Sequence, residues 1–246
     1  MRRDFILKGN ICYSQKRDIL EAAENRYVIC VEVKSKGVFK EIPDEYSELP
    51  VIDYGNQIII PGLIDLHMHA PQYSFRGLGM DLELLEWLET NTFPEEAKFA
   101  SLEYAEKSYR IFTNNLKRSA TTRACVFATI HRDATILLMD RLEESGLVTM
   151  VGKVNMDRNS PDYLREESYQ VSADETVKWL LQTANKEYRN TSPILTPRFT
   201  PSCTDMLMNE LNKIQEEFNL PVQSHLSENP SEREWVKELC PWAETY

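Results

Sequence analysis

The chain has 246 residues, enough to bury a large core in one or two domains. Its formal charge of −11 argues against a nucleic-acid or anionic-membrane surface, and no run approaches the apolar length of a membrane span. Cys12, Cys30, Cys125, Cys203 and Cys240 are scattered without a C-x-x-C pair, which predicts a reducing, cytoplasmic compartment and no disulfide framework. Met1-Arg2-Arg3 runs into Asp4 and Lys8 instead of an apolar stretch, so no signal peptide is expected.

Residues 1–57 read as short strands with polar breaks: Phe5-Ile6-Leu7, Ile11-Cys12-Tyr13, and a longer Tyr27–Val33 turned by Lys36-Gly37. This is too little for an independent core. Next comes Ile58-Ile59-Ile60-Pro61-Gly62-Leu63-Ile64-Asp65-Leu66-His67-Met68-His69. Its β-branched opening predicts a strand buried on both faces. Side chains alternate along a strand, so His67 and His69 point the same way and can reach one divalent metal. Residues 70–100 form a long excursion with a short amphipathic helix around 81–88, and Phe75, Leu78, Trp87 and Phe93 as candidate pocket cover.

From residue 100, helix and strand alternate. Ala105, Tyr109, Phe112 and Leu116 recur at helical spacing and predict a helix over 101–118. A strand over 120–128 follows, then a helix over 134–145 ended by Gly146, then a strand over 148–154. Ser172 and Glu175 have the spacing of a capping box, ahead of a stripe of Val177, Leu180, Leu181, Ala184 and Tyr188. A strand over 194–199 leads to a helix carrying Leu207, Leu211, Ile214 and Phe218. A strand over 221–225 and a helix starting near 231 complete the pattern. Strands spaced by helices imply right-handed βαβ units and a parallel sheet.

Several motifs carry a family resemblance. Pro61-Gly62-Leu63-Ile64-Asp65-Leu66-His67-Met68-His69 resembles the first barrel strand of the amidohydrolase superfamily. Ala70-Pro71-Gln72-Tyr73, Leu84–Leu88, Thr92-Phe93-Pro94-Glu95, Gly152-Lys153-Val154, Thr196-Pro197-Arg198-Phe199 and Gln223-Ser224-His225-Leu226-Ser227-Glu228 resemble the guanine deaminases of that superfamily. The resemblance implies an α/β fold with a (β/α)₈ TIM-type barrel over 58–246, and residues 1–57 as part of a small composite β-sandwich. Only about five βα units are present, whereas the closed barrel needs eight, about 250 residues or more. The expectation is therefore an N-terminal part of such a chain, homodimeric when full length, with no guanine turnover by residues 1–246 alone. An open five-stranded α/β sheet is the alternative.

At a barrel mouth the ends of the strands converge, so His225 is expected to join His67 and His69 as a metal ligand. One zinc is expected, with iron possible. Glu228, three residues beyond His225, is the candidate acid/base. His131 reads as a surface or supporting residue. Lys153 would suit a carbamylated bridge of two-metal relatives only on strand four, and it falls on strand three. Gln72 offers a donor and an acceptor, Arg198 a planar fork of donors, and Phe199 a flat face for a purine. The matching positions line the base pocket in guanine deaminases. The implied reaction is zinc-dependent hydrolysis of guanine to xanthine and ammonia. A truncated non-catalytic fragment, or an amidohydrolase acting on another purine, a triazine or a cyclic amide, are the competing readings.

Overall fold

The computed structural model describes residues 4–245; Met1-Arg2-Arg3 and Tyr246 lie outside the described residues. The chain divides into two compact units, the first ending at Gly62 and the second starting at Leu63. The first unit is a four-stranded sheet of β1 (Phe5–Lys16), β2 (Ile19–Val31), β3 (Lys34–Phe39) and β4 (Val51–Ile59), in the order β3-β2-β1-β4. β1 pairs antiparallel with β2 and parallel with β4. The short strands expected at 5–7 and 11–13 are thus one bulged strand, because the breaks at Gly9 and Asn10 become a register shift instead of a turn. The turn expected at Lys36-Gly37 lies instead at Glu32-Val33, both with positive φ (52° and 64°), as a two-residue hairpin loop requires. Gly37, at φ 131°, sits inside β3 beside a register shift.

The β-branched run is not one strand buried on both faces. Ile58 and Ile59 finish β4, and β5 begins only at Leu63 (Leu63–His69). Ile58 is 70% exposed and Leu66 72%. Pro61 supplies no backbone donor, so the ladder is interrupted between the two strands and each joins a different sheet.

The second unit opens with β5 and a short helical excursion: α1 (Leu84–Trp87), a π-turn over Leu88–Thr92, and α2 (Phe93–Ala97). Then follow α3 (Leu102–Lys117), β6 (Thr121–Phe127), α4 (Arg132–Ser145), β7 (Val148–Gly152), β8 (Val154–Asn155) and α5 (Tyr169–Ala184). β9 (Thr191–Pro193), β10 (Thr196–Pro197), α6 (Asp205–Phe218) and α7 (Pro230–Leu239) complete it. The main sheet is parallel, in the order β5-β6-β7-β9, and β10 pairs parallel with β8. Strand order follows chain order without reversal. α3 packs on α4, α4 on α5 and α5 on α6, over a core that includes Tyr109, Val126, Leu138, Val151 and Trp179. No helix among the described residues is long and apolar enough to cross a membrane.

Two expected strands are divided. The 148–154 strand breaks at Lys153 and the 194–199 strand shrinks to β10, because Pro193 and Pro197 cannot donate to a continuous ladder. Residues 221–225 make a single bridge, Leu195 to Val222, instead of a full strand. Pro221 accepts from the Leu195 N–H, Gln223 donates to the Leu195 carbonyl, and His225 donates to the Arg198 carbonyl. These bonds hold the segment parallel without making it a regular ladder. The helix cap also moves: Ser168 accepts from the Val171 N–H and starts α5, while Ser172 is buried inside the helix. The buried stripe is accordingly Thr176, Trp179, Leu180 and Thr183, and Leu181 is exposed. Gly146, at φ 78°, ends α4 as expected.

The end of α4 is tied to the approach to β9 by one carboxylate. Glu143 accepts from the backbone N–H groups of Arg189, Asn190 and Thr191 at 2.9–3.0 Å. Burial pushes its pKa up, but the three backbone donors outweigh that and hold it below the usual value of 4.5. A folded pKa below the unfolded one stabilises the fold at pH above about 4.5, and this contribution disappears as pH falls through the folded value. Glu143→Gln is therefore expected to cost about 1–3 kcal/mol at pH 7, with the gap to wild type narrowing in acid. Parallel denaturation curves of both proteins at pH 7 and near pH 4 check this; an equal gap at both would remove the charge from the account.

Candidate active site

The alternation of β5 turns His67 and His69 to one face, where they meet Phe127 at the end of β6. The His69 ring stacks on Phe127 at 4.5 Å between centroids, and His67 meets it edge-on at 5.0 Å. His225 arrives from the 221–225 segment and stacks on His69 at 5.0 Å. The ligand nitrogens of His67, His69 and His225 all lie within 4.8 Å of one another. The Nε2 atoms of His69 and His225 face each other at 2.9 Å.

This arrangement fits a metal cation. His225 Nδ1 lies 2.7 Å from the Arg198 carbonyl, which can only accept. Nδ1 therefore carries the proton, and the neutral ring's Nε2 presents a lone pair toward the other histidines. Among the described residues, buried His69 Nδ1 has no hydrogen-bond partner, whereas its Nε2 faces His225 Nε2. Burial holds the His69 pKa well below its usual 6.5, and the charges of His225, Arg198 and His67 add to this. Burial lowers His225 to about 4, against the opposing pull of its bond to the Arg198 carbonyl. Both rings are thus neutral at physiological pH, the state a metal requires of them.

A cavity of about 260 Å³ opens beside the three histidines. Gln72, Arg198, Phe199 and Glu228 line it, together with Leu84, Trp87 and Leu88. Every residue singled out from the sequence as a ligand, a base-reading group or an acid/base therefore borders one space. Gln72 sits on the turn after β5, and Arg198 and Phe199 directly follow β10. Arg198 is 3% exposed, and its guanidinium lies 5.2 Å from the centroid of Phe93. Glu228 stands at the rim, where desolvation and the Glu232 carboxylate raise its pKa and the charges of His67 and Arg198 oppose them. Its backbone N–H donates to Glu232 Oε2 at 2.6 Å, which holds the loop.

The candidate cover residues separate. Trp87 lines the cavity and packs on Phe75, and Phe93 lies beneath Arg198, whereas Leu78 is 58% exposed. Lys153 is fully buried in an ion pair with Glu166 at 2.5 Å, and His131 stands at the N-cap position of α4, with no capping bond from its side chain, and does not join the other histidines. Sequence reasoning missed Glu96, a 1% exposed carboxylate that pairs with Arg198. The signal was an acidic pair, Glu95-Glu96, set among Phe93, Ala97 and Phe99, where a solvated helix face would be polar.

Known proteins share this framework. The guanine deaminase of Dictyostelium discoideum is 47% identical over 261 residues, covering 98% of this chain and 57% of its own length. The human guanine deaminase is 43% identical over 193 residues, covering 78% of this chain and 42% of its own length. A crystal structure of the guanine deaminase from C. acetobutylicum, with guanine bound in its active site, superposes with a TM-score of 0.94. It is 45% identical, over 99% of this chain and 57% of that one. The chain thus spans about half the length of the curated relatives it matches. Residues 58–245, which carry all the side chains of the site, match the model of the Amidohydrolase family, and the chain belongs to that family.

Proposed function

We propose that this chain carries the metal- and base-binding half of a zinc-dependent guanine deaminase, which hydrolyses guanine to xanthine and ammonia. The observation that supports it most is the single cavity, in which the three clustered histidines share a wall with Gln72, Arg198 and Phe199. At about 260 Å³ it is slightly below the roughly 300 Å³ at which ligand pockets usually begin, a size suited to a bare base.

His67, His69 and His225 would hold one zinc, with iron the alternative ion. When bound, such an ion supplies an acidified water as the nucleophile. Phe199 offers its ring face to the purine, and Arg198 donates N–H bonds to the ring carbonyl. Gln72 matches a donor and an acceptor on the base edge with its amide. Glu228 takes the proton of the attacking water and delivers it to the ring nitrogen beside the amine-bearing carbon. Glu228 then takes the proton left on the new C–OH group and gives it to the amine, so that the C–N bond breaks, the carbonyl of xanthine forms and ammonia leaves. Burial and the Glu232 carboxylate raise its pKa, the direction that helps a carboxylate hold the proton it has taken and pass it on. The (β/α) barrel winding over residues 58–246, the sandwich role of residues 1–57, the homodimer and the cytoplasmic location belong to the same proposal. The in-order parallel sheet supports the barrel, and five unpaired cysteines support the reducing compartment.

The test uses the natural gene product, loaded with zinc and supplied with guanine. Xanthine and ammonia are expected in equal amounts, and His69→Ala is expected to lose both the bound zinc and the turnover. Zinc-loaded protein that leaves guanine unchanged, or His69→Ala enzyme that still turns it over, would overturn the proposal.

A further inference from the structure

Behind the pocket wall, one buried carboxylate grips two of the base-reading groups. Glu96 lies on α2 and is 1% exposed. Its Oε2 accepts from Arg198 Nη1 at 2.6 Å, and its Oε1 accepts from Arg198 Nη2 at 3.3 Å and from Gln72 Nε2 at 3.2 Å. The adjacent Glu95 braces the same turn. It accepts from Ser74 Oγ at 2.7 Å, from Lys98 Nζ at 2.6 Å and from the Tyr104 hydroxyl. Two consecutive carboxylates therefore anchor the residues 71–75 that present Gln72.

We infer that Glu96 is a positioning and specificity-determining residue, which sets the spacing of Arg198 and Gln72 and makes the pocket select an uncharged base over an anionic one. This rests on the base-binding reading above. An unpaired guanidinium at 3% exposure would attract any anion strongly, because low-dielectric surroundings leave its charge unscreened. With Glu96 on both Nη atoms the pair is neutral, and what remains is directional: N–H groups placed for a carbonyl oxygen. The two-point grip also stops the guanidinium from rotating, and Phe93 lies against it at 5.2 Å. Gln72 shares Oε1 with Arg198 Nη2, so a shift of either group moves the other.

Glu96→Gln keeps an acceptor oxygen but removes the charge. Glu96→Asp keeps the charge but shortens the reach. The readouts are equilibrium dialysis of the zinc-loaded natural gene product against guanine and against urate, a purine that is anionic at neutral pH. Zinc content, thermal unfolding and steady-state kinetics are followed alongside. Glu96→Gln is expected to weaken guanine by about 10-fold and to tighten urate by a similar factor, the scale of one charge-assisted hydrogen bond. KM for guanine should rise by about as much, with kcat changed less than about 3-fold. Glu96→Asp should weaken guanine yet still reject urate, and it carries the test if Glu96→Gln fails to fold. If both ligands weaken by one factor, or if Glu96→Asp binds both as wild type does, Glu96 is only a structural brace. Zinc-loaded wild type that binds no guanine would instead bring down the base-binding reading, and this inference with it.

Discussion

Glu228→Gln is expected to lower kcat for guanine by about 10²-fold or more while the protein keeps its metal. The amide has the size of the carboxylate and cannot take a proton from water. Nothing in the change touches His67, His69 or His225, so metal content separates loss of proton transfer from loss of the site. The position of Glu228 supports the size of the effect. It borders the cavity three residues beyond His225, and the Glu232 carboxylate holds its backbone. Metal analysis and turnover are measured on the same preparation of the natural gene product. Near-normal kcat with full metal would take Glu228 out of the proton path.

Gly152→Ala is expected to cost about 3 kcal/mol or more, at the upper end of what overpacking a core does. The residue closes β7 where it faces the segment leading into β10. A Cβ built there meets Thr196 Oγ1 at 1.7 Å, with the Ile194 carbonyl and Thr196 Cβ both at 2.7 Å. Those atoms have little room to retreat. Thr196 is fully buried and β-branched, and its Oγ1 donates to the Ile194 carbonyl and accepts from Gln223 Nε2 at 2.9 Å. The need for glycine is thus one of space. Because Thr196 and Gln223 each lie two residues from a site side chain, Arg198 and His225, the displacement would travel into the pocket. For a domain near 200 residues the expected loss is a fall in Tm of about 6–12 °C. A midpoint within a degree of wild type would mean that the two strands are not so close.

The features legible in the sequence share a local cause. His67 and His69 face one way because alternation along a strand is set by backbone geometry alone. The stripes of α3 and α6 follow from helical spacing, and Gly146 ends α4 because glycine carries no Cβ penalty at positive φ. The motifs around Gln72, Arg198, His225 and Glu228 picked out residues that border the cavity because each motif is a continuous stretch. Local pattern misled where two structures fit the same residues. Ile58–Ile60 fits one buried strand as well as the end of one and the start of another, and Ser168 and Ser172 are both able to cap a helix.

What only the tertiary structure decided is which distant groups meet. Glu96 and Arg198 are 102 residues apart, and a carboxylate in an apolar helix is affordable only where folding delivers a cation to it. His225 stands on no regular strand, yet the Arg198 carbonyl turns its Nε2 toward the other rings. Sequence by itself determined which residues could do chemistry and how each lies on its own element. Their common cavity, the lowered pKa values of His69 and His225 and the pairing of Arg198 depend on burial and on contacts across the chain, which no local pattern carries.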